Sequence, residues 1–337
     1  MLVTAALLLA AGACKNDNKP ARWTGSAADQ DPELINLNRL LAENPENDSL
    51  LFRRAAVYYK LEGYDEALKD LAAAINRDSM QPRYYHLLAD VLLDYARPND
   101  SRRAIDVLQT AARLFPDRLP TLLKLSEFQL IVRQHKEALA TIDKVLQRDP
   151  QNAEGYFMAG RVALDMGDTT RAVASLQKSV QFDSDNADAW RFLGRIFALR
   201  NNPQAIQYFD NALRLDSTDL QTLEYKAAFY KVRGEFDKAF VIYRAIVVRN
   251  PDYSNAYFDM GMIYLEIDSL QKAYDHFDIA IKTDPLFIMA YYYRGHTAEL
   301  QGNLPAALAD YKQASKMSPN YPEPKAALER LEKSGLK

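Results

Sequence analysis

The chain has 337 residues, 48% of them hydrophobic and 26% charged, which excludes a disordered polymer and supplies enough apolar mass for an extended core. A net charge of −3, with no block of basic residues, excludes the electrostatic footprint of a nucleic-acid binder. A single cysteine excludes an internal disulfide and a thiolate metal cluster.

The first element is the apolar run from Leu2 to Ala13, which stops at the only cysteine, Cys14. It is shorter than the ~20 residues of a spanning helix and has the length of a signal-peptide core. Ala11, Gly12 and Ala13 before Cys14 resemble the lipobox of bacterial lipoproteins, where small residues precede the cysteine that receives diacylglycerol. The resemblance implies a signal peptide over 1–13, a lipidated Cys14 and a flexible tether over 14–30. Lys15 stands where an aspartate favours inner-membrane retention, so the same resemblance implies an outer-membrane lipid anchor, on the periplasmic side or at the cell surface. The sequence departs from the pattern in two places: Ala11 stands where leucine is usual, and no Lys or Arg precedes the run. The competing reading is a short N-terminal helix with a buried cysteine.

Residues 31–47 carry Leu34, Leu37, Leu40 and Leu41 at helical spacing and predict a lone capping helix. Beyond it, helical runs end at Pro45, Ser79, Pro116, Pro150, Ser184, Ser217, Pro251, Pro285 and Pro319, at intervals of 34, 37, 34, 34, 33, 34, 34 and 34 residues. A fixed period in this range is the signature of stacked supersecondary repeats. Each period has the same interior. In the copy beginning at Ser254, Tyr257, Gly261 and Tyr264 mark a first helix, Ala273, Phe277 and Ala280 a second, and Pro285 closes it. Trp190, Gly194, Phe197, Ala205, Phe209 and Ala212 repeat the pattern one copy earlier but one, and Tyr291, Gly295, Ala298, Ala307, Tyr311 and Ala314 one copy later. Small residues admit close helix approach, aromatics fill the space between layers, and proline ends each copy because it cannot continue a helix.

This pattern resembles the tetratricopeptide repeat family. The fold implied is all-α, a right-handed superhelical solenoid of about eight helix-turn-helix repeats, at 48–81, 82–118, 119–152, 153–186, 187–219, 220–253, 254–287 and 288–321, with a C-terminal capping helix at 322–337. The long interval places extra residues around Arg97 to Ser101, and Gln129 stands where a bulky residue is usual. Polar outer faces on the two terminal helices predict a monomer.

No nucleotide loop, nucleophile elbow or zinc-protease motif is present, and His86, His135, His276 and His296 have no motif partner. The carboxylates fall in helix surfaces and turns, so neither an enzyme nor a cofactor or metal site is expected. The resemblance instead implies a concave groove lined by the first helices, binding segments of protein partners. Its fifth, sixth and ninth positions include Phe52, Phe157, Arg161, Arg191, Arg195, Tyr225, Phe258, Met262, Tyr292, Tyr293 and His296. The arginines suit carboxylates of a bound segment. The aromatics suit anchoring, since they bury much area with few torsions to freeze. The competing reading is that the aromatics belong to the core, because a phase error of one residue turns them inward. The lysine and asparagine with which some family members clamp a C-terminal carboxylate are absent from the fifth and ninth positions. The function expected is a membrane-anchored interaction scaffold of the bacterial cell envelope. The alternative is an outer-membrane assembly or secretion accessory factor that works through its outer faces.

Overall fold

The computed structural model describes residues 31–333. Eighteen α-helices and no strand occur among them: α1 Pro32–Glu43, α2 Asp48–Lys60, α3 Tyr64–Arg77, α4 Pro82–Tyr95, α5 Asp100–Leu114, α6 Leu119–Ile131, α7 His135–Arg148, α8 Ala153–Asp165, α9 Thr169–Phe182, α10 Ala187–Leu199, α11 Gln204–Leu215, α12 Leu220–Val232, α13 Phe236–Arg249, α14 Ser254–Glu266, α15 Leu270–Thr283, α16 Ile288–Leu300, α17 Leu304–Met317 and α18 Pro322–Lys333. The chain divides into two compact units at Val162/Ala163, within α8. The readings made for Cys14, the signal peptide and the tether lie outside the described residues.

Several helix starts are capped by short polar side chains. The Asp31 carboxylate accepts from the amides of Glu33 and Leu34 at 2.9 Å, with Pro32 at the first helical position, and Asn47 accepts from Leu50 N at 3.0 Å. Asp168, Asn186, Asp219 and Asn303 cap α9, α10, α12 and α17 in the same way. Between the two helices of a repeat one residue turns left-handed. Gly167, Gly234 and Gly302 do so freely, whereas Glu62, Arg133, Asn201 and Asp268 adopt φ of 50–60° with a Cβ in place. The lengthened turn of the second repeat has two such residues, Ala96 and Asn99, so its extra residues are absorbed as a local loop. That loop is held by Asp100, 1% exposed, which accepts from Arg97 Nε at 3.3 Å and Arg103 Nη1 at 2.7 Å.

In the amino-terminal unit the second helices bury aliphatic residues, Leu71, Leu108 and Ile142. At the same register of the carboxy-terminal unit stand Leu176, Phe209, Tyr243, Phe277 and Tyr311, all fully buried. The rings are admitted by small residues on the facing first helix. A Cβ at Gly194 would stand 2.5 Å from the Phe209 ring, and one at Gly261 2.7 Å from Phe277. Ala67, Ala104, Ala138, Ala172, Ala205, Ala239, Ala273 and Ala307 are likewise fully buried, one on the second helix of each repeat. At the ends, Leu34 and Leu37 of α1 pack on Val57, and Ala327 and Leu331 of α18 pack with Ala298, Ala307 and Tyr311.

Buried charge on the second helices is matched by arginine. Arg54 grips Asp70 through Nε and Nη2 at 2.7 and 2.8 Å, and Arg294 grips Asp310 at 2.8 and 2.6 Å. The bidentate geometry satisfies carboxylates that are 4% and 6% exposed and would otherwise be costly to bury.

Candidate protein-binding surface

The first helices of successive repeats touch one another within each unit: α2 with α4, α4 with α6, α10 with α12, and α12 with α14. Their fifth, sixth and ninth positions therefore fall along the seam between neighbours. In the amino-terminal unit that seam is closed by polar pairs. His86 Nε2 lies 2.9 Å from Thr121 Oγ1, Lys124 Nζ 2.7 Å from Asp90, and Arg161 Nη1 3.2 Å from Glu127. Burial pulls the His86 imidazole down to about 4, with Lys124 and Arg118 adding to the effect, and burial also raises the Asp90 carboxyl. Phe52 is half-buried, its ring 5.0 Å from Tyr84 and covered by the Arg83 guanidinium at 4.9 Å.

The carboxy-terminal unit also carries polar pairs along its first helices. Arg191 pairs with Asp188 on its own helix and with Asp219, the cap of α12, at 3.0 Å. The Arg195 guanidinium lies over the Tyr225 ring at 4.9 Å and the Phe192 ring at 5.6 Å, and has no ion pair among the described residues. Further along, Glu224 accepts from the Tyr253 hydroxyl at 2.7 Å, and burial raises its carboxyl. Lys231 pairs with Asp259, which also accepts from the buried Tyr243 hydroxyl at 2.8 Å. This network of Glu224, Tyr253, Lys231 and Asp259 escapes the sequence reading because each partner lies 28 or 29 residues along the chain.

At the carboxy-terminal end the rings gather. Tyr292 lies 5.1 Å from Tyr293, 6.3 Å from a parallel His296 ring, 5.7 Å from Tyr311 and 5.6 Å from Tyr321. Tyr292, Tyr293, His296 and Tyr321 are half-buried, as is Met262. Burial, with the Glu323 charge beside them, pushes the phenols of Tyr292, Tyr293 and Tyr321 up, so they stay neutral donors. Tyr321 sits in the turn before α18 and was not among the expected groove residues, since groove positions belong to first helices.

Three expectations need correction. Phe157 is 7% exposed and Phe258 9%, so both are core rings. Phe258 is turned inward because Phe277, Phe287 and Tyr293 surround it with centroids at 5.5, 4.9 and 5.6 Å. The arginines are not all free for a bound segment. Arg161 belongs to the amino-terminal unit and Arg191 and Arg195 to the other. Arg161 and Arg191 hold carboxylates of the chain itself. Among the described residues, no group of three His, Cys, Asp or Glu could hold a metal ion, and no helix is long and apolar enough to cross a membrane.

Comparison with known proteins agrees with this architecture. The model of the tetratricopeptide repeat family matches residues 157–219 and 260–322. A BBSome complex member, BBS4 of Bos taurus, is 29% identical over 114 residues, 34% of this chain and 22% of that protein. Tetratricopeptide repeat protein 6 of Homo sapiens is 33% identical over 85 residues, 25% of this chain and 16% of that protein. The chain thus spans well under half the length of these curated relatives. Among solved structures, a tetratricopeptide repeat protein from Parabacteroides merdae superposes with a TM-score of 0.54 at 20% identity, covering 73% of this chain and 97% of that one. PilW, a type IV pilus biogenesis factor, superposes with a TM-score of 0.56 at 19% identity, covering 63% and 99%. The fold is therefore the tetratricopeptide one, and such repeats act as protein–protein interaction scaffolds.

Proposed function

We propose that the chain is a scaffold that binds an extended segment of a protein partner along the first-helix face of its carboxy-terminal unit. Arg195 is the observation that carries this reading. Its guanidinium lies over two rings, with its N–H fork uncommitted to any carboxylate among the described residues. A carboxylate of the bound segment pairs with it. Tyr225, Met262, Tyr292, Tyr293, His296 and Tyr321 then supply partly exposed anchors of the kind that dominate binding energy. The reading is of a binding protein and not of an enzyme. A photo-crosslinking residue at position 296, in cells, identifies the partner. Arg195→Glu and Tyr292→Ala are then measured against that partner by titration. Arg195→Glu is a cleaner probe than changes at Arg161 or Arg191, which also break internal ion pairs. Wild-type affinity in both variants would refute the assignment.

The same proposal places the scaffold at a bacterial envelope membrane through a lipid on Cys14. The support is the run of Ala11, Gly12 and Ala13 before that cysteine, with a polar, small-residue stretch after it. Palmitate labelling that survives Cys14→Ser counts against the anchor, and protease shaving of intact cells separates the periplasmic side from the cell surface.

A second reading uses the outer face, and Val241 and Val248 favour it. They are 67% and 80% exposed on α13, on one stripe with Arg244 between them and Arg249 beside them. The equivalent positions of the next repeat are Asp275 and Lys282. An apolar stripe with cationic flanks fits an acidic amphipathic helix of a partner. Crosslinks that fall on α13 and not on first helices would select this reading.

A further inference from the structure

The chain repeatedly builds one small assembly, a cation over a tyrosine ring with a carboxylate at its N–H edge. Arg97 lies over Tyr95 at 4.0 Å and pairs with Asp65 and Asp100. Arg294 lies over Tyr274 and Tyr291 at 5.8 and 5.6 Å and pairs with Asp278 and Asp310. Lys238 lies over Tyr230 at 5.2 Å and pairs with Glu235. The ring face and the carboxylate both attract the cation, so the two act on it together.

At the carboxy-terminal end the rings and the carboxylate are present without the cation. Tyr292 and Tyr293 of α16 meet Tyr321 of the turn before α18, with the Tyr292 centroid 5.1 Å from Tyr293 and 5.6 Å from Tyr321. All three are half-buried and keep part of their surface in solvent. Glu323, in the first turn of α18, is exposed, and its charge reaches all three phenols. Among the described residues it has no hydrogen bond and no ion pair, and no lysine or arginine lies over the three rings. Arg330, whose charge also reaches Tyr292, is held by both carboxylate oxygens of Glu299, at 2.7 and 2.6 Å. A first-turn carboxylate complements the helix dipole unaided, but that role needs no tyrosines around it.

We infer that this cluster receives a lysine or arginine side chain of the bound partner segment, its cationic head against the tyrosine rings and the Glu323 carboxylate. Charge complementarity selects the occupant, since an acidic side chain is repelled and an apolar one leaves the carboxylate unanswered. The inference rests on the surface proposed above and adds a charge order to the segment. Its carboxylate meets Arg195 in the fifth repeat, and its cation meets Tyr292 and Glu323 three repeats further on.

The test is NMR of the full chain with isotope-labelled tyrosine, titrated with acetyl-Gly-Arg-Gly amide and its lysine counterpart. The citrulline peptide, which keeps the shape of arginine and loses its charge, is the control. Tyr292→Phe, Tyr293→Phe and Tyr321→Phe assign the ring signals. Saturable shifts of these signals with a basic peptide, weakened about threefold or more in Glu323→Gln and in Tyr321→Leu, support the site. Silence toward both basic peptides at about 10 mM, an equal response to citrulline, or an affinity unchanged in Glu323→Gln overturns it. Tighter binding of tetramethylammonium than of either basic peptide overturns the occupant and marks a small-cation site instead. The two readings fail separately. Full partner binding in Glu323→Gln, with loss in Arg195→Glu, overturns the cation site and leaves the scaffold surface. Wild-type binding in both Arg195→Glu and Tyr292→Ala overturns the surface, while the peptide response, measured without the partner, stands or falls on its own.

Discussion

Replacing Phe258 by alanine separates the core reading of this ring from the groove reading. The side chain is 9% exposed and meets three rings, Phe277, Phe287 and Tyr293. A buried aromatic covers on the order of 150–250 Å². At ~25 cal/mol per Å² that is about 4–6 kcal/mol, of which the alanine methyl retains roughly a quarter. The transfer loss is therefore about 3–4 kcal/mol, and an unfilled space between α14, α15 and α16 brings the expected cost to about 3–5 kcal/mol. Because each repeat is stabilised by its neighbours, the loss falls first on the carboxy-terminal repeats. Urea unfolding followed by circular dichroism measures the total, and hydrogen exchange shows α14 to α16 losing protection while α2 to α7 keep it. A loss below about 1 kcal/mol, with partner binding reduced, would refute the core assignment and return Phe258 to the binding face.

Gly261→Val places new carbons against the Phe277 ring, which a Cβ alone would approach to 2.7 Å, so a destabilisation of about 1–3 kcal/mol is expected in thermal melts. Arg133→Gly relieves a side chain held at φ 60° and is expected to stabilise by about 0.5–1 kcal/mol in the same assay. His86 binds its proton more weakly in the fold, at about 4 against an ordinary 6.5, because of burial and the charges of Lys124 and Arg118. The unfolded chain therefore takes up the proton first as pH falls, and stability drops between about pH 6.5 and 4. His86→Gln is expected to flatten that part of the pH profile, read by urea midpoints at each pH.

The helix-pair repeat was legible in the amino-acid sequence because its causes are local and recur. The period near 34 residues, the small residues at Gly194, Gly261 and Gly295, and the rings at Phe209, Phe277 and Tyr311 can all be read from spacing. The structure shows each glycine against the ring of its own repeat. These contacts join helices separated by a short turn, so pattern alone specifies them. What only the tertiary structure decided depends on the next repeat or on a single residue of phase. Arg161 and Arg191 look free in sequence and are tied to Glu127 and Asp219, 34 and 28 residues away. Phe258 and Tyr292, both at the fifth position, differ in burial because Phe287 closes over the first, while the second stacks with half-exposed His296 and meets Tyr321 edge-on. Gln129 was legible as an exception, but its hydrogen bond with Thr141 arises only when α7 stands beside α6. Local periodicity determines which faces are apolar. The partner that covers a charge, and the ring that stays exposed, follow from how neighbouring repeats meet.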